Sequence, residues 1–152
     1  MHRGPYIVSA VMDESVNEDS KVFEGLYADM MENDYQIVTG REGAPDESAI
    51  LFNFSKITQE ELRIVGSSAR VEKLQLLERG IHIRPTTADK IRMFVRVRLP
   101  YSVTEAYALD EDGNEMPVNM EWEERTCTLR ISYDSCRRAV NVTETYGKSI
   151  EK

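Results

Sequence analysis

The side chains best suited to acid–base chemistry are two adjacent carboxylate pairs, Glu60-Glu61 and Glu123-Glu124. Cleaving a glycosidic bond needs two carboxyls facing each other across a cleft, about 5 to 10 Å apart. Both pairs fall in turn-like stretches, and adjacent side chains on a strand point opposite ways, so they read as solvated charges. The loop "DEDGNE" (110–115) offers Asp110, Asp112 and Asn114 to a calcium ion. The twelfth position of an EF-hand loop starting at Asp110 is Glu121, in an alternating apolar stretch, and strand patterns flank the loop where that motif needs helices. A hairpin turn through Asp112-Gly113 fits better. His82 has only His2 for company, so no histidine cluster can build a zinc site, and no glycine-rich phosphate loop occurs. Neither a metal nor a cofactor is expected, and no catalytic residue can be assigned.

Two groups of side chains carry binding potential. Exposed Trp or Tyr rings stack on sugars, which makes Trp122, Tyr101 and Tyr107 candidate carbohydrate contacts. Against that use, Trp122 shares an alternating face with Met116, Val118 and Met120, the pattern of a core strand. Tyr101 reads equally as a strand-end cap, and Tyr107 as a core residue. The second group lies in "KIRMFVRVRLP" (90–100), where Lys90, Arg92, Phe94, Arg96 and Arg98 alternate with Ile91, Met93, Val95, Val97 and Leu99. The apolar row is an inner face. The basic row is either a cross-strand ladder meeting Glu72, Glu105 or Glu121, or a docking face centred on Phe94 for another domain.

These residues sit in a chain whose dominant period is two. Strands are expected at 5–12, 21–30, 34–40 and 48–55, then from about 63 to 78 after one helical turn near 58–62. A hairpin into "IHIRP" follows, then strands at 90–99, 103–109, 116–122 and 126–133, and a last one in "RAVNVTETY" (138–146). Short alternating strands with turn residues between them predict an all-β, antiparallel two-sheet β-sandwich, immunoglobulin-like or jelly-roll-like. At 152 residues a single domain, 1–152, is expected. The sequons at Asn53 and Asn141 fall in expected strands and carry little weight.

The net charge of −8 is uneven: residues 1–80 hold 15 acids and 8 bases, residues 81–152 hold 12 and 11. So acidic a chain disfavours a general nucleic-acid role. No apolar run approaches the ~20 residues of a membrane helix, and the N-terminus has no secretory leader pattern. The chain is thus expected either not to be exported or to begin inside a longer parent. Cys127 and Cys136 flank an extended stretch that carries them beyond the ~7 Å reach of a disulfide. Free thiols are compatible with a cytoplasmic, reducing setting.

Four blocks, "RGPYIVSAVMDESV" (3–16), "AILFNFSKI" (49–57), "RIVGSSARV" (63–71) and "MFVRVRLP" (93–100), taken together resemble a known family. It is the ancillary β-sandwich domain towards the C-terminus of large bacterial proteins related to glycoside hydrolases. The resemblance implies a module that packs on a catalytic barrel, with the reacting carboxylates in the barrel and none here. The leading expectation is therefore a noncatalytic accessory module that docks the catalytic domain of its parent chain or another protein. A carbohydrate-binding module for polysaccharide and a free-standing protein-interaction domain are the alternatives.

Overall fold

The computed structural model describes residues 1–10, 21–32, 34–43, 47–58, 60–78, 80–86, 92–110, 112–134 and 139–143. They divide into two compact units, Met1–Thr58 and Gln59–Lys152. Every ladder between strands is antiparallel, so the all-β class expected from the period-two pattern holds.

The first unit contains β1 (His2–Arg3), β2 (Tyr6–Ala10), β3 (Lys21–Asp29), β4 (Ile37–Gly43) and β5 (Ser48–Asn53). They form one sheet in the order β1-β2-β5-β3-β4. Ile7, Phe23, Tyr27, Ala49 and Leu51 make its buried cluster, with Val38 packed against it. Phe52 meets both Tyr6 and Phe54 edge-on, with ring centroids 5.2 Å apart in each case. Between Phe23 and Leu26 the β3–β4 register shifts, and Gly25 takes φ +133°, a conformation that favours a residue without Cβ. Asp29 is wholly buried; its Oδ1 accepts a bond from the Met31 N–H at 3.0 Å, and Oδ2 lies 3.3 Å from Arg41.

A 3-10 turn, Phe54–Lys56, closes β5, with Asn53 capping it through a 2.9 Å bond from the Ser55 N–H. The helical turn expected at 58–62 is absent among the described residues there. The Asn53 cap and burial of Phe54 place the turn four residues earlier.

The second unit holds β6 (Arg63–Ser67), β7 (Arg70–Leu77), β8 (Gly80–Thr86), β9 (Arg92–Arg98), β10 (Tyr107–Leu109), β11 (Glu115–Met116), β12 (Asn119–Glu123), β13 (Thr128–Asp134) and β14 (Ala139–Thr143). Five of them form a sheet in the order β11-β10-β14-β8-β7, and four form another, β12-β13-β9-β6. One hydrophobic cluster draws on both: Ile81, Ile83 and Ala108 from the first; Met93, Val95, Val97, Leu129, Ile131 and Tyr133 from the second. The inner row expected of 90–99 is thus observed at Met93, Val95, Val97 and Leu99; Ile91 and Lys90 lie outside the described residues.

Two expected strands are split. The stretch to Glu78 breaks at Ser68-Ala69, so that β6 and β7 join different sheets. Ser68 fixes the break: its N–H donates to the Phe94 carbonyl at 3.0 Å, and its hydroxyl accepts from the Phe94 N–H at 2.9 Å. The expected strand 116–122 is likewise two, β11 and β12, on different sheets, with Pro117 between them.

Candidate functional site

The second half of the basic row of β9 is interior. Arg96 and Arg98 are only 2% and 3% exposed, whereas Arg92 is exposed and Phe94 half-buried. Register explains the neighbourhood. Arg96 stands opposite Arg130 on β13 and opposite Gly66, which has no side chain, on β6; Arg98 stands opposite Thr128 and Arg63. Arg96 Nη1 donates to Thr128 Oγ1 at 3.0 Å, and that hydroxyl lies 2.8 Å from Thr126 Oγ1. Burial lowers the pKa of the Arg98 guanidinium, with attraction from Cys127 and Glu61 acting the other way. Arg92 Nη2 reaches Ser132 Oγ at 3.2 Å.

The glutamate ladder takes a different form from the one expected. Glu121 pairs with Arg130, Glu61 with Arg63 at 3.1 Å, and Glu123 with Arg125 at 2.8 Å. Hydrogen bonding from Arg125 holds the Glu123 carboxyl below its usual range. Glu72 lies on β7, in the other sheet, and Glu105 precedes β10. Among the described residues, the accessible part of the row shrinks to Arg92 and part of Phe94.

The three aromatic candidates separate. Tyr101 donates its hydroxyl to the Gly80 carbonyl at 2.6 Å and packs on the hydrophobic cluster, as a strand-end cap does. Trp122 packs on the same cluster with Met116, Val118 and Met120. Tyr107 lines an open cleft of about 470 Å³ together with Thr104, Glu105, Ala106, Glu115 and Met120.

The cleft is lined by Thr104, Glu105 and Ala106 from the segment before β10, by Tyr107 and Glu115 from the β10–β11 hairpin, and by Met120 from β12 of the four-stranded sheet. Leu109 pairs with Glu115 and Ala108 with Met116, so the chain returns alongside Tyr107. The connecting turn uses its own acid as a clamp: Asp110 Oδ1 accepts from the N–H groups of Asp112 at 3.0 Å and Asn114 at 2.8 Å, and Oδ2 from Asn114 Nδ2 at 3.3 Å. Gly113 takes φ +83°. This is the hairpin expected of "DEDGNE", and Asp110's oxygens face the turn. Among the described residues no group of three or more His, Cys, Asp or Glu is arranged to hold a metal.

The residues lining the cleft include one with a phenol ring, Tyr107, and two with carboxylates, Glu105 and Glu115. A ring supplies a flat apolar face, and carboxylates are strong acceptors for hydroxyl donors, so the set matches a polyhydroxylated ligand. Of its residues, sequence reasoning singled out Tyr107 for sugar contact and Glu105 for a charge ladder. Glu115 and Met120 were not associated with a site; the turn signal in "DEDGNE" was the clue, since a hairpin there returns Glu115 to Tyr107. Cys127 is buried and free, in the β12–β13 turn, with its thiol 3.5 Å from the Glu124 carbonyl; Cys136 lies outside the described residues. No helix among the described residues is long and apolar enough to cross a membrane.

Comparison with protein-family models, with curated proteins and with solved structures finds no match to this chain.

Proposed function

We propose that this chain is a noncatalytic carbohydrate-binding module that holds a segment of polysaccharide in the Tyr107 cleft. The observation that carries this reading is the convergence of Tyr107, Thr104, Glu105 and Glu115 on one open cavity of about 470 Å³. That volume falls in the range of small-molecule sites. The resemblance of the four sequence blocks to accessory domains of glycoside-hydrolase-like proteins supports the same setting. In that setting the module serves a catalytic domain, with Arg92 and Phe94 as the accessible part of a docking face.

The test is calorimetric titration of the purified chain against a panel of soluble polysaccharides. Saturable binding to at least one, weakened about tenfold by Tyr107→Ala with the fold intact by circular dichroism, is the expected result; a contact of about 1.4 kcal/mol corresponds to that loss. A panel without a single binder, or a binder indifferent to Tyr107→Ala, rejects the cleft. Hydrolysis of a glycoside by the pure chain would reject the noncatalytic assignment.

A further inference from the structure

We infer that the Tyr107 cleft selects an amino sugar: a polysaccharide segment whose free amines are protonated, in preference to a neutral or an acidic one. This choice of ligand rests on the glycan-binding reading of the same cleft and narrows it to one chemical class.

The distribution of charge along the chain singles the cleft out. From Leu99 to Glu124 the sequence holds eight Asp or Glu and no Lys, Arg or His. The remaining 19 acids and all 19 bases lie outside it, so the whole net charge of −8 resides in this stretch. Every residue lining the cleft, from Thr104 to Met120, belongs to it. Dividing the chain at residue 80 conceals this, because basic segments flank the stretch on both sides.

Within the stretch the acids are partnered unevenly. Glu121 pairs with Arg130 and Glu123 with Arg125, so their charges are met. Asp110 turns its oxygens to the N–H groups of its own hairpin. The carboxylates of Glu105 and Glu115 have no salt-bridge partner among the described residues, and no cation lines the cleft. Register sets Glu115 on the side of the ring. Ala108 is wholly buried in the core cluster, so Tyr107 and Leu109 face away from it, and Glu115 stands opposite Leu109 on that same side. A sugar laid on the Tyr107 ring thus meets an unpaired carboxylate at its rim.

An ammonium group brings three donors and a positive charge to acceptors that lack both, and a charge-assisted bond is roughly twice as strong as a neutral one. A neutral sugar offers hydroxyl donors alone. A uronate or a sulfated sugar sets like charge against both glutamates. A basic peptide shares the positive charge but carries it on flexible stems, with no pyranose face for the ring to stack on. In so open a cleft salt screens the attraction, so the preference is greatest at low ionic strength.

Calorimetric titration of the full chain at about pH 5.5 in low salt compares glucosamine oligomers with the same oligomers N-acetylated, with a uronic acid oligomer of equal length and with oligolysine. The expected result is tightest binding to the free amine, about tenfold over the N-acetylated oligomer, and weakest to the uronate. Glu105→Gln combined with Glu115→Gln brings that ratio close to one. Glu32→Gln combined with Glu78→Gln, which removes the same charge outside the stretch, leaves it unchanged. Circular dichroism confirms the fold of both double variants. Equal affinity for the amine and N-acetylated oligomers, a ratio that survives loss of both cleft glutamates, or oligolysine bound as tightly as the glucosamine oligomer overturns the amino-sugar assignment. If the N-acetylated oligomer binds equally well and loses about tenfold with Tyr107→Ala, the cleft reading stands and only the charge selection falls. If no saccharide binds, both fall.

Discussion

Arg96 and Arg98 place two cations where a sheet normally holds apolar or solvated side chains, and their surroundings determine what each substitution does. Arg96 is 2% exposed and donates to Thr128, whose hydroxyl also has Thr126 beside it. Arg96→Ala removes both packing and a bond to a charged group, and is expected to cost about 1.5 to 3 kcal/mol by urea unfolding. Arg96→Met keeps much of the volume and removes a buried charge, so it is expected to cost less than the alanine variant. The reverse order would mean that the charge, more than the packing, holds this position. His82 provides a pH readout. Burial, then Lys73 and Arg84, lower its pKa from the ordinary value. The stabilisation from keeping it neutral is fully present above the unfolded value near 6.5 and is lost as pH falls through the lower folded value. Urea midpoints from about pH 7 to 5 should therefore fall less steeply for His82→Gln than for the parent chain.

At the scale of strands, irregularities decide where each element goes. In β3 the bulge at Gly25 brings the Tyr27 hydroxyl oxygen to 3.2 Å and its ring to 3.3 Å from where a Cβ would stand, and that hydroxyl donates to the Glu24 carbonyl at 2.7 Å. Gly25→Ala adds both backbone strain and that contact. A loss of about 1 to 3 kcal/mol is expected in thermal or urea unfolding, and an unchanged midpoint would show that the bulge can relax. Such features were hard to read in advance. Alternation located β5, β9 and β13 to within a few residues, because a strand with one buried face writes its period into the chain. β2 was expected from its apolar run to be buried on both faces, but of its residues only Ile7 is buried and Val8 is 39% exposed. The breaks at Ser68 and Pro117 send consecutive stretches to different sheets, and alternation is blind to sheet membership. The 3-10 turn was misplaced because Thr58 with Glu60 and Glu61 mimics a helix start, whereas the capping bond belongs to Asn53.

Across the whole molecule, the apolar alternation of residues 90–133 becomes one cluster fed by two sheets, and the polar positions left outside it become the candidate site. The basic row and the aromatics looked equally eligible in the sequence. Tertiary structure separated them: Arg96 and Arg98 are buried, Trp122 and Tyr101 pack on the cluster, and Tyr107 lines a cleft. That sorting was illegible beforehand because it depends on which strand ends meet. Glu115 and Met120 reach the cleft from elements on different sheets. The glycan-binding account rests on that meeting. Its most direct test is a ¹H–¹⁵N NMR titration of the chain with an oligosaccharide cut from the polysaccharide that binds best. The account predicts saturable shifts concentrated at Thr104, Glu105, Ala106, Tyr107, Glu115 and Met120, and absent in Tyr107→Ala. Shifts centred on Arg92 and Phe94, or none at saturating sugar, would contradict it.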